Sequence, residues 1–140
     1  MSTAMNKLSQ DHTGALIIFS NDFDVSELSK TGVMIEAKIS APLLESIFNK
    51  YGPLHDGAVI INGDQIEAAS CILPVSESQN IPIGLGLRHR AGIGVTETSN
   101  VSAFIVSEET GAISYAKGGK LEHGINQNRL VELLNMALSK

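Results

Sequence analysis

Apolar positions in this chain fall into short runs, and the spacing within each run assigns it to strand or helix. "GALIIFS" (14–20) is continuous and of strand length, so it reads as a buried strand. "DVSELSKTG" (24–32) predicts one or two helical turns closed by Gly32. In "VMIEAKI" (33–39), Ile35, Ala37 and Ile39 alternate with Met34, Glu36 and Lys38, the pattern of a half-exposed strand. Ser40 then caps a helix with Pro42 in its first turn. Its buried stripe is Leu43, Leu44, Ile47 and Phe48, and it ends near Gly52-Pro53. "AVII" and "QIEAASCILPV" predict two strands joined at Asn62-Gly63. A loop follows over 76–86, and then "RHRAGIGVTETS" reads as a helix, against the preference of Gly92 and Gly94. "SAFIVS" and "AISYAK" make a second hairpin through "EETG", and "NQNRLVELLNMAL" is a closing amphipathic helix. Interleaved strands, helices and hairpins predict an α/β fold with a mixed central β-sheet covered by helices. They form one domain over 13–140, behind a helical lead-in over 1–12.

Composition narrows the setting. A chain of 140 residues, 43% apolar and 18% charged, is the size of one compact domain with its own core. Cys71 is the single cysteine, so no internal disulfide can form; in "AASCIL" it reads as a small core residue. No apolar run approaches the roughly 20 residues of a membrane span, and "MSTAMNKLSQDH" has no signal-peptide core. The expectation is a cytoplasmic chain with no direct membrane insertion. A net charge of −5 argues against a nucleic-acid surface. Between Tyr51 and Ala116 there is no lysine, and the only arginines are Arg88 and Arg90, amid Asp56, Asp64, Glu67, Glu77, Glu97, Glu108 and Glu109. Positive charge in this stretch is concentrated in one place.

Three short segments carry candidate chemistry. "RHR" (88–90) opens a predicted helix, where cations oppose the macrodipole at a cost of a few tenths of a kcal/mol to about 1 kcal/mol each. A bound polyanion would offset that cost, because helix N–H groups and guanidinium forks would converge on phosphate. A solvated basic turn paired with nearby carboxylates fits the triplet as well. Gly92 and Gly94 suggest close packing or close approach by a ligand. In "HDGA" (55–58), Asp56 at a strand mouth can bind a divalent cation, accept a proton or contact a ribose hydroxyl, with His55 as a further metal ligand and Gly57 removing bulk. Taken alone, Asp-Gly is more simply a turn. In "SEETG" (107–111), Ser107 and Glu108 can reach phosphate or metal, though alone the segment is a polar hairpin loop. His12 and His123 read as surface residues, and Tyr51 and Tyr115 are too few and scattered to be base-stacking platforms. No zinc pattern, Walker A sequence, G-x-S-x-G elbow or dinucleotide G-x-G-x-x-G after a strand is present. An acid, a separate arginine fork and a carboxylate loop together suit a nucleoside triphosphate with a divalent metal.

"PLHDGAVI", then "RHRAGIGVTE", then "IVSEETGAIS", with "GALI" ahead of them, closely resembles the diadenylate cyclase domain family, most of all its membrane-tethered bacterial class. The likeness runs from about residue 13 to about residue 124, and the ordered pair of DGA and RHR is its specific part. The resemblance implies the fold of that family and the condensation of two ATP into cyclic di-AMP with release of two pyrophosphates. It implies Mg²⁺ or Mn²⁺ as cofactor and a homo-oligomer whose active form is a face-to-face dimer. It gives catalytic roles to Asp56, Arg88, His89 and Arg90, and metal contacts to Asp56, His55 and Glu108. Substrate contacts fall to Gly57, Ala58, Arg88, His89, Arg90, Ser107 and Glu108, with Leu16 and Leu73 lining the adenine pocket. It also implies that residues 1–12 derive from the linker of a membrane tether, so that the full-length protein sits at the inner face of the cell membrane. Two positions depart from the family: Leu87 stands where many relatives have threonine, and Ile72 where many have tyrosine. The first removes a hydroxyl contact and the second removes aromatic packing near the base. The rival expectations are a sensor of this fold that binds ATP or cyclic di-AMP without turnover, and a purely structural interaction domain.

Overall fold

The computed structural model describes residues 1–20, 24–77 and 84–138. The elements in chain order are α1 (Ser2–Gln10), β1 (Ala15–Ser20), α2 (Ser26–Ser29), β2 (Val33–Lys38), α3 (Ala41–Phe48) and β3 (Ala58–Asn62). They continue with β4 (Gln65–Cys71), α4 (Leu87–Thr98), β5 (Val101–Val106), β6 (Ile113–Lys117), β7 (Lys120–Glu122) and α5 (Gln127–Leu138). The strands form one seven-stranded sheet in the order β2-β4-β3-β1-β5-β6-β7. Among the described pairings β1 and β3 run parallel and the others antiparallel, so the sheet is mixed, as the interleaved sequence pattern predicts.

Side chains alternate along β1 and divide the core in two. Ile17 and Phe19 face a layer built from α1, α3 and α5, together with Val59, Ile61, Phe104 and Val106. Leu16 and Ile18 face the other side, where α4 covers them together with Ile60, Ala103 and Ile105. A sheet covered on both faces has central strands that are apolar throughout, which is why "ALIIF" and "VSAFIV" read as continuous runs. The edge strand β2 is open on one face, and Ile35 and Ala37 are half-buried while Met34, Glu36 and Lys38 are exposed.

Several boundaries move from their expected positions. α1 is no separable lead-in: Ala4, Met5 and Leu8 are fully buried in the same cluster as Ile17 and Phe104. α3 stops at Phe48, with Ser40 Oγ accepting the Leu43 N–H at its start. The hairpin turn falls on Gly63-Asp64, because Asn62 pairs with Gln65 and Gly63 takes the positive φ of 65°. β4 ends at Cys71 rather than at Val75. The buried Cys71 thiol, pushed up to about 11 by burial, is a core group as expected. β7, a three-residue strand, was not predicted. Of the loop read over 76–86, residues 78–83 lie outside the described residues.

The glycines of α4 resolve in favour of packing. A Cβ on Gly92 would meet Ile105 and Leu16 at 3.0 to 3.3 Å, and one on Gly94 would lie 2.2 Å from the backbone oxygen of Pro74. These two positions press the helix onto the sheet and onto the segment after β4. Gly94→Ala should destabilise the fold by about 2–3 kcal/mol in urea unfolding, the cost of overpacking against backbone that cannot retreat. Gly86→Ala is the milder comparison: a Cβ there meets open space, and the change should cost only about 0.5–1 kcal/mol, because glycine is preferred to alanine at a helix N-cap.

Candidate active site

The topology gathers the candidate segments at one end of the central strands. β1 and β3 start there, β5 ends there, and β6, antiparallel to β5, starts there. Gly14 therefore lies beside His55-Asp56-Gly57 before β3 and Ser107-Glu108 after β5, while the first turn of α4 comes down beside them. Together these segments line a cavity of about 1340 Å³. Residues after α1 (Asp11, His12, Thr13) and after α3 (Asn49, Lys50, Tyr51) complete its rim. A drug-sized ligand site is typically about 300–1,000 Å³, so this cavity has room for a nucleoside triphosphate.

Arg88, His89 and the N-terminus of α4 form one wall. Gly86 is the N-cap and offers no side-chain acceptor, so the first helical N–H groups remain available. The Arg88 guanidinium lies across Gly14; a Cβ on that residue would sit 2.5 Å from Nη1. Its other neighbour is Glu108, at 3.6 Å from Nη1 to Oε1. That distance is long and Glu108 is exposed, so the pair holds Arg88 weakly, at about 0–1 kcal/mol, and a phosphate can displace it. His89 is only 5% exposed, and its Nε2 has no partner among the described residues. Burial, then the neighbouring His123 and Arg88 charges, holds its imidazole below the usual histidine range.

His55 and Asp56 form the opposite wall. His55 Nδ1–H donates to the Gly52 carbonyl at 2.9 Å, which turns Nε2 toward Asp56 Oδ1 at 3.3 Å. An imidazole nitrogen beside a carboxylate oxygen is a donor pair that fits a divalent cation. Among the described residues there is no cluster of three potential ligands, so substrate phosphates would have to complete the coordination. Glu108, engaged with Arg88, stands across the cavity. Asp56 is 85% exposed at the open mouth. Gly57 has φ +86°, and a Cβ there would lie 2.7 Å from the Cys71 carbonyl oxygen, so β4 backbone requires this glycine irrespective of any ligand.

Ser107 Oγ accepts the N–H groups of Glu109 and Thr110, each at 3.2 Å, which leaves its proton free to donate into the cavity. Arg90 does not line the cavity among the described residues. Two helical positions from Arg88, it projects roughly 200° around α4, and its carbonyl accepts the Ser76 N–H at 3.0 Å. Leu16, Ala58 and Leu73 are buried in the apolar cluster under α4 rather than in the cavity wall. Leu87 is 75% exposed and lines the mouth, whereas Ile72 is 73% exposed and lies outside it.

His12 and His123, read from sequence as surface residues, both line the cavity. His12, with φ 50°, donates Nδ1–H to the Glu109 carbonyl at 3.2 Å. A signal for His123 was present: Gly118-Gly119 is a two-residue hairpin with both φ positive, and its register brings residue 123 back beside residue 114.

Among the described residues no helix is long and apolar enough to cross a membrane. The cyclic di-AMP synthase CdaA of Bacillus subtilis is 41% identical over 140 residues, covering all of this chain and 51% of that protein. The crystal structure of a double mutant of DacA from Staphylococcus aureus superposes with a TM-score of 0.97 at 40% identity, over 99% of this chain and 93% of that one. A crystal structure described as a hypothetical membrane spanning protein from Bacillus cereus matches with a TM-score of 0.85 at 42% identity, over 89% of this chain and 61% of that one. The chain spans about half the length of the curated relatives it matches. The family described as DisA bacterial checkpoint controller nucleotide-binding, DAC, matches residues 2–121, and on that match and the shared fold the chain belongs to the diadenylate cyclase (DAC) domain family.

Proposed function

We propose that this chain condenses two ATP into cyclic di-AMP, releasing two pyrophosphates, at the face-to-face interface of two subunits. The observation that carries this reading is the division of one cavity into an anion wall and an exposed acid wall. Arg88 and the α4 N-terminus take the phosphates, and Asp56 stands at the mouth, 85% exposed. A group that activates a 3′-hydroxyl toward a second nucleotide belongs at such an opening.

In each of two equivalent steps the Asp56 carboxylate receives the 3′-hydroxyl proton. The 3′-oxygen bonds to the α-phosphorus of the facing nucleotide, and the bond from that phosphorus to the bridging oxygen breaks. Arg88, the α4 N–H groups and the Ser107 hydroxyl then hold the charge that accumulates on pyrophosphate. His55 Nε2 and Asp56 would hold a divalent cation, Mn²⁺ or Mg²⁺, which would supply charge neutralisation when bound. His55 as a ligand favours Mn²⁺, because imidazole suits softer cations than Mg²⁺. Proximity comes from pairing two loaded subunits. The sequence likeness to CdaA and the neighbour described as membrane spanning support a full-length form tethered at the cell membrane.

Incubation with ATP and Mn²⁺ or Mg²⁺ tests the reading, with cyclic di-AMP detected by mass. Nucleotide bound without product would mark a sensor, and no nucleotide bound would leave an interaction domain. If two subunits must meet, specific activity should also rise with protein concentration until dimers saturate. Constant specific activity at dilutions where sizing shows monomers would overturn the two-subunit mechanism.

A further inference from the structure

Neither Ser114, the last residue of "IVSEETGAIS", nor His123 has a role in the site described so far, yet they form a built contact at the anion wall. Ser114, in β6, is fully buried; its hydroxyl meets His123 Nδ1 at 2.9 Å and accepts the Gly124 backbone N–H at 3.4 Å. The Gly124 N–H takes one of the two serine lone pairs, and His123 Nδ1 is the one other partner among the described residues to which the buried serine proton can be given. In that arrangement the His123 imidazole carries its own proton on Nε2. The exposed ring lines the cavity and stands edge-on to His89 in the first turn of α4, with centroids 6.2 Å apart and planes at 70°. His89 lines the same cavity and carries the buried Nε2 that lacks a partner among the described residues. Unfilled hydrogen-bonding capacity on two adjacent rings therefore collects beside Arg88, at the end of the cavity suited to anions.

We infer that His123 is a further substrate-binding residue that donates its Nε2–H to the terminal phosphates of the bound nucleoside triphosphate, with Ser114 as the residue that positions it. The argument rests on the cyclase reading for the identity of the nucleotide. Its location rests on the contact with α4, which places His123 at the phosphate end, away from His55 and Asp56 on the opposite wall.

The test compares binding of α,β-methylene ATP, which cannot react, with binding of AMP, which lacks the terminal phosphates, by calorimetry in Mn²⁺. His123→Ala should weaken the triphosphate on the order of tenfold, as for loss of a hydrogen bond to a charged group, and change AMP by less than about twofold. His123→Gln keeps an N–H donor on a side chain of similar reach and should recover most of the loss. Ser114→Ala should shift the ratio in the same direction but less, since it frees the ring without removing the donor. Equal weakening of both ligands in His123→Ala, an unchanged ratio, or a glutamine variant no better than alanine would overturn the assignment of His123. An unchanged ratio in Ser114→Ala would overturn the positioning role. Wild-type protein that bound neither ligand would overturn the cyclase reading itself, whereas wild-type binding with an unaltered ratio in the variants removes only His123.

Discussion

Asp56→Asn should lower cyclic di-AMP formation by about 10²–10⁴-fold, the usual worth of a positioned general base, while leaving the fold and nucleotide affinity nearly intact. The carboxylate stands at the cavity mouth, and its one polar side-chain contact among the described residues is His55 Nε2 at 3.3 Å. An exposed pair of this kind contributes about 0–1 kcal/mol, so the melting temperature should barely move. The amide matches the carboxylate in size but neither takes a proton from a 3′-hydroxyl nor carries charge to a cation beside His55. On the cyclase reading, the phosphate contacts come from Arg88 and the α4 N-terminus on the other wall and should persist. Product measured by mass, binding by calorimetry and stability by thermal melting separate these effects. Near-normal product would remove Asp56 from the mechanism, and a lost melting transition would make it a structural residue.

The same geometry explains which parts of the molecule were legible in the chain. Apolar runs announced the central strands because both faces of the sheet are covered, and no competing helical period exists in "ALIIF" or "VSAFIV". Ser40 declared a helix start because its hydroxyl has one local use, accepting the Leu43 N–H. Boundaries set by tertiary contact were not legible. β4 could have continued to Val75 by pattern, but Ser70 takes a φ of 57° and the pairing ends at Cys71. Gly57 and Gly94 read as room for a ligand or for packing, and only the Cys71 and Pro74 backbones decide that packing is enough. Arg88 and Arg90 read as one fork, yet helical geometry turns them apart and brings one of them to the cavity. His12 and His123 are exposed, as a lone histidine in a polar stretch suggests, and only tertiary structure brings them to the cavity: His12 by its bond to the Glu109 carbonyl, His123 by the β6–β7 register that the Gly118-Gly119 turn signals.

A mixture of two inactive variants should reveal which subunit supplies which group. Asp56 at the mouth of the cavity faces outward, and Arg88 lies deeper, over Gly14. If Asp56 activates the ATP of its own subunit, that 3′-oxygen attacks the α-phosphate of the ATP held by Arg88 of the partner subunit. Asp56→Asn and Arg88→Ala subunits, mixed where subunits exchange, then form dimers with two unlike junctions. One junction carries both defects and is dead. The other pairs an intact Asp56 with an intact Arg88 and forms one phosphodiester bond, expelling one pyrophosphate. The expected product is linear triphosphorylated di-adenosine with little cyclic di-AMP, while each variant alone makes little of either. The linear species should exceed the separate variants by at least about tenfold, since the surviving junction retains a factor of about 10²–10⁴ that each variant lacks. Mass analysis of the mixture decides the matter. If Asp56 and Arg88 of the same subunit serve the same bond, both junctions of the mixed dimer are damaged and the linear product stays at the level of the separate variants. That outcome would reverse the assignment of roles across the interface while leaving the cyclase reading in place.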